Sequence, residues 1–584
     1  MSEEWITGGP PARPWTEGRQ LEGMPGVGVG PGCRVEAMAD ERARVVLAGD
    51  VCLGRDRKAA LLDAAADGRW ADLTRCPGSY WVVAQNSTNR FVCGDLAGFR
   101  TVFHTEIGAR TVWSTSAREL AELRQAGPDL ALVAARVVAG SEHWPDRTVY
   151  EGVFGVPGGK GLLLGGPRPQ LIDVTGIDPV ASLDEGAAAF GQALERSVHW
   201  RMRDVGGLAG ADVSGGLDSS ALAITAARVG KVRAVTYSDV YTSAEDLAFA
   251  RRVAEHIGVE LHVGWGGLEQ LPFGWSSSQP VTEQPAATSL TMGQHALYLR
   301  PAANLPVHFT GNGGDVVLDS CSAVWVAMVQ AGERRAAHRE VTNWARARNR
   351  SPRDLWASVT RSADIGVAGA LDEAAAQMES GSFDGKRPGV WSWCHLGQSG
   401  RWLTPAGRHQ VAALLRGAAQ ASTPERADVF EQHASLRLVG ADARDTAPLA
   451  ASLGIRQVHP YLDNEVVRAA FAIAPAERHG VTSFKPLLGA ALPYLPWWLT
   501  SRTSKGSFSR QFIVGLVHHR KAIAHLIRSS ALATGGLLDP EPAIATLASV
   551  QGAQAHALYD LQRLTMVCQW LASTGHSAPL EEAC

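Results

Sequence analysis

At 584 residues the chain exceeds what one hydrophobic core can organise, because single cores stop growing at roughly 250–300 residues, so two domains are expected. Apolar residues make up 45% of it and charged residues 19%, which excludes a mostly disordered chain. The 55 basic and 58 acidic side chains leave a formal net charge of −3, which excludes a global pull toward nucleic acid or an anionic membrane.

Eight cysteines are scattered without a C-x-x-C pair or metal-ligand spacing. No charged-then-apolar segment opens the chain, and no apolar run is long enough to span a bilayer. The expectation is a cytoplasmic protein with reduced thiols.

Residues 1 to about 35 are rich in Pro and Gly and read as a loop or a loosely attached segment. From about 45 to 175, short apolar runs alternate with turn residues: Val45–Leu47, Tyr80–Ala84, Phe91–Val92, Thr101–Phe103, Thr111–Trp113 and Gly161–Leu164. That spacing predicts a mostly β first domain. Ser182-Leu183-Asp184-Glu185 then has the capping-box form, and Ala187, Phe190, Leu194 and Val198 recur at helical spacing, so a long helix opens the second domain. The boundary is placed near 175–181, giving domains of 1–178 and 179–584.

Beyond it the chain reads as a strand ending near Val213, a helix from about Ser219 to Arg228, and a strand from Val232 to Tyr237. A helix from about Ala244 to Ile257 and a strand at Leu261–Val263 follow. This alternation predicts right-handed crossovers and a parallel, doubly wound sheet whose ligands sit at the carboxyl ends of its strands. After about 320 the chain is rich in Ala, Leu and Arg and reads as mostly helical.

Directly after the first of those strands stands Ser214-Gly215-Gly216-Leu217-Asp218-Ser219-Ser220. The glycines let the backbone fold around an anion, the serines add hydroxyl donors, and the helix that follows offers free N–H groups and the positive end of its dipole. This is a phosphate cradle, but not a Walker A loop, because no G-K-[S/T] follows.

S-G-G-x-D-S resembles the signature of the PP-loop ATP pyrophosphatases, the adenine nucleotide α hydrolase-like enzymes that release pyrophosphate from ATP. Phe309-Thr310-Gly311-Asn312-Gly313-Gly314-Asp315 resembles the S-G-E-G-G-D segment of the asparagine synthetase family. By that resemblance Asp218 and Asp315 hold Mg²⁺ on the phosphates, in keeping with the preference of Mg²⁺ for few carboxylates plus phosphate oxygens and water. Ser214, Gly215, Gly216, Asp218, Ser219, Ser220, Tyr237, Ser238, Thr310 and Gly311 are the ATP-binding set that it implies. His459-Pro460-Tyr461-Leu462-Asp463 resembles the family's P-F-L-D segment, and Phe484-Lys485-Pro486-Leu487-Leu488 its K-x-x-L segment. The resemblance casts Lys485 as the cation that steadies a developing oxyanion. Leu495-Pro496-Trp497-Trp498, Arg502 and Lys505-Gly506-Ser507-Phe508 resemble the family's mobile loop, in which Lys505 closes on pyrophosphate. Lys485 and Lys505 are the catalytic candidates.

Gly94-Asp95-Leu96-Ala97-Gly98-Phe99-Arg100 resembles the R-D-x-x-G-x-R turn of glutamine-amidotransferase domains and implies an inherited α/β/β/α fold. Their chemistry needs a cysteine after the initiating methionine, whose thiolate attacks glutamine while its own amine acts as base. Here Ser2 holds that place, Cys33 lies inside the chain, and Ala48-Gly49-Asp50-Val51 replaces the N-G-E-x turn. The N-terminal domain is therefore read as an inactive glutaminase.

Asn312 stands where asparagine synthetases have Glu and β-lactam synthetases have Tyr, and Asn cannot act as a general base. The pattern is most similar to lasso peptide cyclases. It implies a cytoplasmic ligase that uses ATP and Mg²⁺ to adenylate an Asp or Glu side chain of a core peptide and closes a macrolactam with the peptide's α-amine. A leader peptidase and a leader-binding protein are the implied pathway partners, with no nucleic acid and no membrane. A β-lactam or carbapenam-type synthetase is the alternative, and a non-catalytic nucleotide- or peptide-binding scaffold is the alternative from another class. Trp391, Trp393, Trp402, Trp497 and Trp498 could line a peptide cavity or fill a core.

Overall fold

The computed structural model describes residues 4–9, 18–54, 56–275, 279–383, 390–480, 484–503, 506–550 and 555–576. Among the described residues, twelve strands lie before residue 174. They are β1 (Ile6–Gly8), β2 (Arg19–Gln20), β3 (Val27–Val29), β4 (Val35–Ala39), β5 (Ala43–Val51), β6 (Gly78–Asn86), β7 (Arg90–Cys93), β8 (Val102–Ile107), β9 (Arg110–Ser114), β10 (Phe154–Val156), β11 (Lys160–Leu164) and β12 (Gln170–Asp173). They form two six-stranded sheets, β10-β8-β9-β1-β3-β2 and β12-β11-β7-β6-β5-β4, and all their pairings are antiparallel.

The strands alternate in what they face, as a pleated ribbon must. Val46 and Ala48 of β5, Trp81 and Val83 of β6 and Val92 of β7 meet Ile6, Val27, Val29, Val102 and Trp113 of the other sheet in one buried cluster. Val45, Leu47, Tyr80, Val82 and Phe91 point the opposite way, onto α1 (Arg57–Ala66). On the far side, Phe103 and Val112 pack against α2 (Ala117–Arg124) and α3 (Leu130–Ala139). The layers run helix, sheet, sheet, helix.

One sequence expectation changes here. Residues 4–9 and 18–35 are not loose, because β1, β2 and β3 lie among them and Ile6, Val27 and Val29 are wholly buried between the sheets. The helices α1, α2 and α3 over the outer faces of the mostly β region agree with the α/β/β/α layering that the resemblance implies.

The capping box at Ser182 forms as expected, with Glu185 returning to the Ser182 backbone, and starts α4 (Leu183–Asp204). Five strands follow: β13 (Leu208–Asp212), β14 (Lys231–Ser238), β15 (Leu261–Trp265), β16 (His308–Phe309) and β17 (Gln457–Val458). Their order is β15-β14-β13-β16-β17, and every pairing is parallel. The order reverses between β13 and β16, the switch point beyond whose carboxyl ends ligands bind in such sheets.

The flanking helices are α5 (Leu217–Ala227), α6 (Ala244–His256), α7 (Met292–Leu299) and the single turn α8 (Gly314–Val317). A helical region adds α9 (Ala323–Gln330), α10 (Arg334–Ala347), α11 (Pro352–Ser380), α12 (Pro405–Ala421) and α13 (Ala427–Ser452), and further helices run to Ser573. Trp393 and Trp402 are core residues of this region. Among the described residues no helix is long and apolar enough to cross a membrane.

Candidate functional site

The turn between β13 and α5 is shaped by close packing. Gly215 has φ +81°, and a Cβ there would stand 2.2 Å from the Asp246 carbonyl oxygen. Only glycine meets both demands. Ser214 and Ser219 close the turn with hydroxyls 2.9 Å apart, and the Ser219 hydroxyl accepts the Ser214 N–H at 3.2 Å. Helix α5 starts at Gly216 with no side-chain cap, so its first-turn N–H groups and dipole end face the crevice. Ser220 lies fully buried in that turn, and its hydroxyl has no partner among the described residues.

From the neighbouring strand, the Gly311–Asp315 turn folds onto this loop. A Cβ on Gly311 would lie 2.8 Å from the Ser219 nitrogen, and one on Gly314 would lie 2.5 Å from the Asp218 carboxyl carbon. The glycines are what allow Asp315 to approach Asp218.

Lys485 completes the group. Its Nζ lies 2.6 Å from Asp218 Oδ1 and 2.7 Å from Asp315 Oδ1, with a side chain only 2% exposed beside a 58% exposed Asp315. Burial alone pulls its pKa down, but the Asp218 and Asp315 carboxylates outweigh this and raise it above the ordinary lysine value. The ammonium is therefore fixed and permanently charged.

Three sequence-chosen residues, from α5, α8 and the start of the helix Pro486–Ala491, thus meet within ion-pair distance. Ser214, Gly215, Gly216, Ser219 and Gly311 surround them. Tyr237 and Ser238, expected to meet the purine through backbone groups, end β14 at the same edge of the sheet; the Tyr237 hydroxyl donates to Asp239 at 2.9 Å, and Ser238 meets Thr242 at 2.9 Å. Thr310 is buried, with its hydroxyl 2.6 Å from His459 Nδ1. Lys505 lies outside the described residues.

Sequence reasoning placed Arg502 and Tyr461 in family-like segments but assigned neither of them a contact. Arg502 is buried, donates to the Gly215 carbonyl at 2.5 Å and pairs with Asp246. The Tyr461 hydroxyl donates to the Asp218 carbonyl at 3.1 Å. A hydroxyl where the resembling segment has a Phe ring is the one signal that could have marked Tyr461.

The N-terminal candidates are spoken for. Buried Asp50 pairs with Arg456 and lies 3.5 Å from Arg201, whose guanidinium also holds Asp463 at 2.6 Å. Burial would raise the pKa of Asp50, but Arg456, Arg201 and Arg100 together hold it below the usual carboxylate range. Arg100 in turn donates to Glu4 at 2.6 Å. The Cys33 thiol is buried, and burial pushes it up to about 12. It is inert as a nucleophile.

Two carboxylates on separate turns, with no group of three or more acidic, His or Cys ligands among the described residues, suit Mg²⁺ shared with phosphate oxygens. The unpartnered Ser220 hydroxyl and the uncapped helix suit the phosphates themselves.

Comparison with known proteins bears on the second half of the chain. The family model described as asparagine synthase matches residues 189–572, well over half of the sequence. No curated protein matches. Among solved structures, the glutamine phosphoribosylpyrophosphate (PRPP) amidotransferase from B. subtilis complexed with ADP and GMP aligns at 9% identity over 50% of this chain and 59% of that one, with a TM-score of 0.16. A structure titled as the allosteric regulatory enzyme of purine biosynthesis aligns at 10% identity over 51% of this chain and 59% of that one, with a TM-score of 0.17. The chain therefore spans under two thirds of the length of either. By its match over residues 189–572, the chain belongs to the asparagine synthase family.

Proposed function

We propose that this enzyme adenylates an Asp or Glu side chain of a peptide and closes a macrolactam with the same peptide's α-amine, as in lasso peptide biosynthesis. The observation that carries the adenylation step is the buried Lys485 ammonium held between Asp218 and Asp315 at the uncapped start of α5.

In this reading, ATP lies with its β- and γ-phosphates against the Ser214–Ser220 turn, where first-turn N–H groups receive the departing pyrophosphate. Asp218 and Asp315 would hold Mg²⁺, which supplies neutralisation of the leaving group's charge. The substrate carboxylate attacks the α-phosphorus, pyrophosphate leaves, and an acyl-adenylate results. The peptide amine then attacks the acyl carbon, and the role proposed for Lys485 is to face the negative charge that develops on the acyl oxygen. The C–O bond to the phosphate breaks, AMP departs with its electron pair, and the amine's proton passes to solvent.

The amine source is argued from what the N-terminal half offers. Asp50 is bound into arginines and Cys33 is buried with its pKa pushed up, so neither supports release of ammonia from glutamine. Asn312 supplies no base, which suits an amine already delivered by its own chain. Holding both groups on one substrate can supply roughly 7–11 kcal/mol of the barrier through positioning.

The test is the fate of ATP. The wild type is expected to release AMP and pyrophosphate, and Asp218→Ala and Asp315→Ala are each expected to abolish pyrophosphate exchange with the fold intact by circular dichroism. Release of ADP by the wild type would remove the adenylation step.

A further inference from the structure

A cavity of about 480 Å³ lies on the seam between the outer face of the N-terminal sandwich and α13, apart from the residues that form the Asp218 site. Phe103, Trp144, Leu290, Phe512 and Val567 give it apolar walls. Leu438 and Tyr559 line it while remaining 54% and 49% exposed, so it opens to solvent past two apolar side chains. The volume falls within the roughly 300–1,000 Å³ range of sites for small ligands.

Five arginines, Arg136, Arg147, Arg437, Arg444 and Arg563, face three carboxylates, Glu142, Asp442 and Asp445, in its lining. Among the described residues, Arg136 donates only to the Gln284 side-chain oxygen at 2.7 Å and the Arg147 carbonyl at 2.6 Å, and its buried Nε has no partner there. Arg437 donates to the Gly158 carbonyl at 3.0 Å. Among the described residues no carboxylate comes within ion-pair distance of either guanidinium. Burial accordingly lowers the pKa of Arg136 to about 10 and depresses that of Arg437 as well. Arg444 is 3.8 Å from Asp445, and its Nε also lacks a hydrogen bond. Desolvated guanidinium groups without counterions are costly to the fold unless something else neutralises them, and a carboxylate matches their fork geometry.

We infer that this cavity binds the carboxylate end of an apolar peptide, with Arg136 and Arg437 taking the terminal carboxylate and the aromatic walls taking the last side chains. That this peptide is the tail of the enzyme's own substrate rests on the reading given under Proposed function. The placement agrees with it: Gln432, on the same helix as Arg437, is hydrogen-bonded to Arg478, and Arg478 donates to the Val317 carbonyl at 2.9 Å in the turn that carries Asp315.

The experiment uses the full chain without ATP, so its outcome is independent of adenylation. Tryptophan fluorescence follows titration with N-acetyl-Gly-Leu-Phe-Leu as its free acid and as its C-terminal amide. The acid is expected to bind about ten-fold more tightly than the amide, since a hydrogen-bonded charge pair is worth roughly that factor. Arg437→Gln is expected to bring the two within about two-fold. Leu438→Glu, at an exposed position that leaves folding intact, is expected to weaken the acid by about ten-fold and the amide much less. Equal binding of acid and amide to the wild type, no saturable binding of the acid, or discrimination unchanged in both variants would overturn the assignment. ATP-dependent ring closure could still stand in each of those cases.

Discussion

Lys485 adopts a left-handed backbone conformation, φ 53° and ψ 62°, immediately before Pro486. A non-glycine residue held there costs of order 1–3 kcal/mol, and such strain persists where the surroundings dictate it. Here the dictating contacts are Asp218 and Asp315, which fix the ammonium at the crevice. Lys485→Ala is expected to lower kcat by about 10²–10³, the usual loss for one preorganised oxyanion donor, while the KM for ATP stays within about three-fold. Steady-state kinetics would show it, and a large KM effect with kcat intact would recast Lys485 as a nucleotide-binding residue. Tyr461→Phe removes one hydrogen bond to the Asp218 carbonyl, worth about 1 kcal/mol, so pyrophosphate exchange is expected to fall by about five-fold. Asp218, Asp315 and Lys485 were legible through the resemblance of their segments to those of the asparagine synthetase family, since a Gly-Gly-Asp turn or a lone lysine by itself is more often structural or solvated. The sequence placed Arg502 and Gly314 in family-like segments without showing what they touch, because each matters through a distant segment, the Gly215 carbonyl for one and the Asp218 carboxyl for the other.

Among the elements, legibility followed length. The long helix α4 and the strands around it were readable from a capping box and from period, and their observed bounds differ from expectation by a residue or two. One small shift matters: α5 begins at Leu217 rather than near Ser219, which puts Asp218 in the helix's first turn instead of in the loop. The three-residue strands β1 and β3 and the two-residue β2, β16 and β17 carry too few positions to show a period of two. They exist because neighbouring strands supply the pairing. Helix α13 holds a buried aspartate, Asp445, whose pKa burial raises to about 7 against the partial opposition of Arg444. The folded state keeps that proton up to about pH 7, whereas an unfolded aspartate releases it near 3.9. The folded state therefore binds more protons across that interval, and stability falls as pH rises through it. Asp445→Asn removes the penalty. In urea unfolding, the variant is expected to gain on wild type at pH 8 by up to about 3–4 kcal/mol, with little difference at pH 4.

At the scale of the molecule, the two halves are not separate cores. Tyr80, Phe91 and Cys93 of the sandwich belong to the same buried cluster as Phe190 and Leu194 of α4 and Leu217 and Leu222 of α5, and the Asp50–Arg201–Asp463 ion pairs cross the same seam. The sequence suggested two domains from length and a change of period, but a change of period marks where the architecture changes, not whether the apolar surfaces are shared. Calorimetry is accordingly expected to show one cooperative unfolding transition. Two resolved transitions would mean that the halves fold independently.

In the proposed reading, the N-terminal half serves the ligase as a wall and a brace, and the amine comes from the peptide. The most direct measurement of that claim is mass spectrometry and nucleotide analysis of one reaction containing the enzyme, ATP, Mg²⁺ and its leaderless core peptide, with no glutamine or ammonium. The account predicts a peptide product lighter by one water, resistant to carboxypeptidase because its tail is held in the ring, together with one AMP per product. A product that forms only when glutamine or ammonium is added, or a small β-amino acid closed to a lactam while the peptide is left untouched, would contradict it.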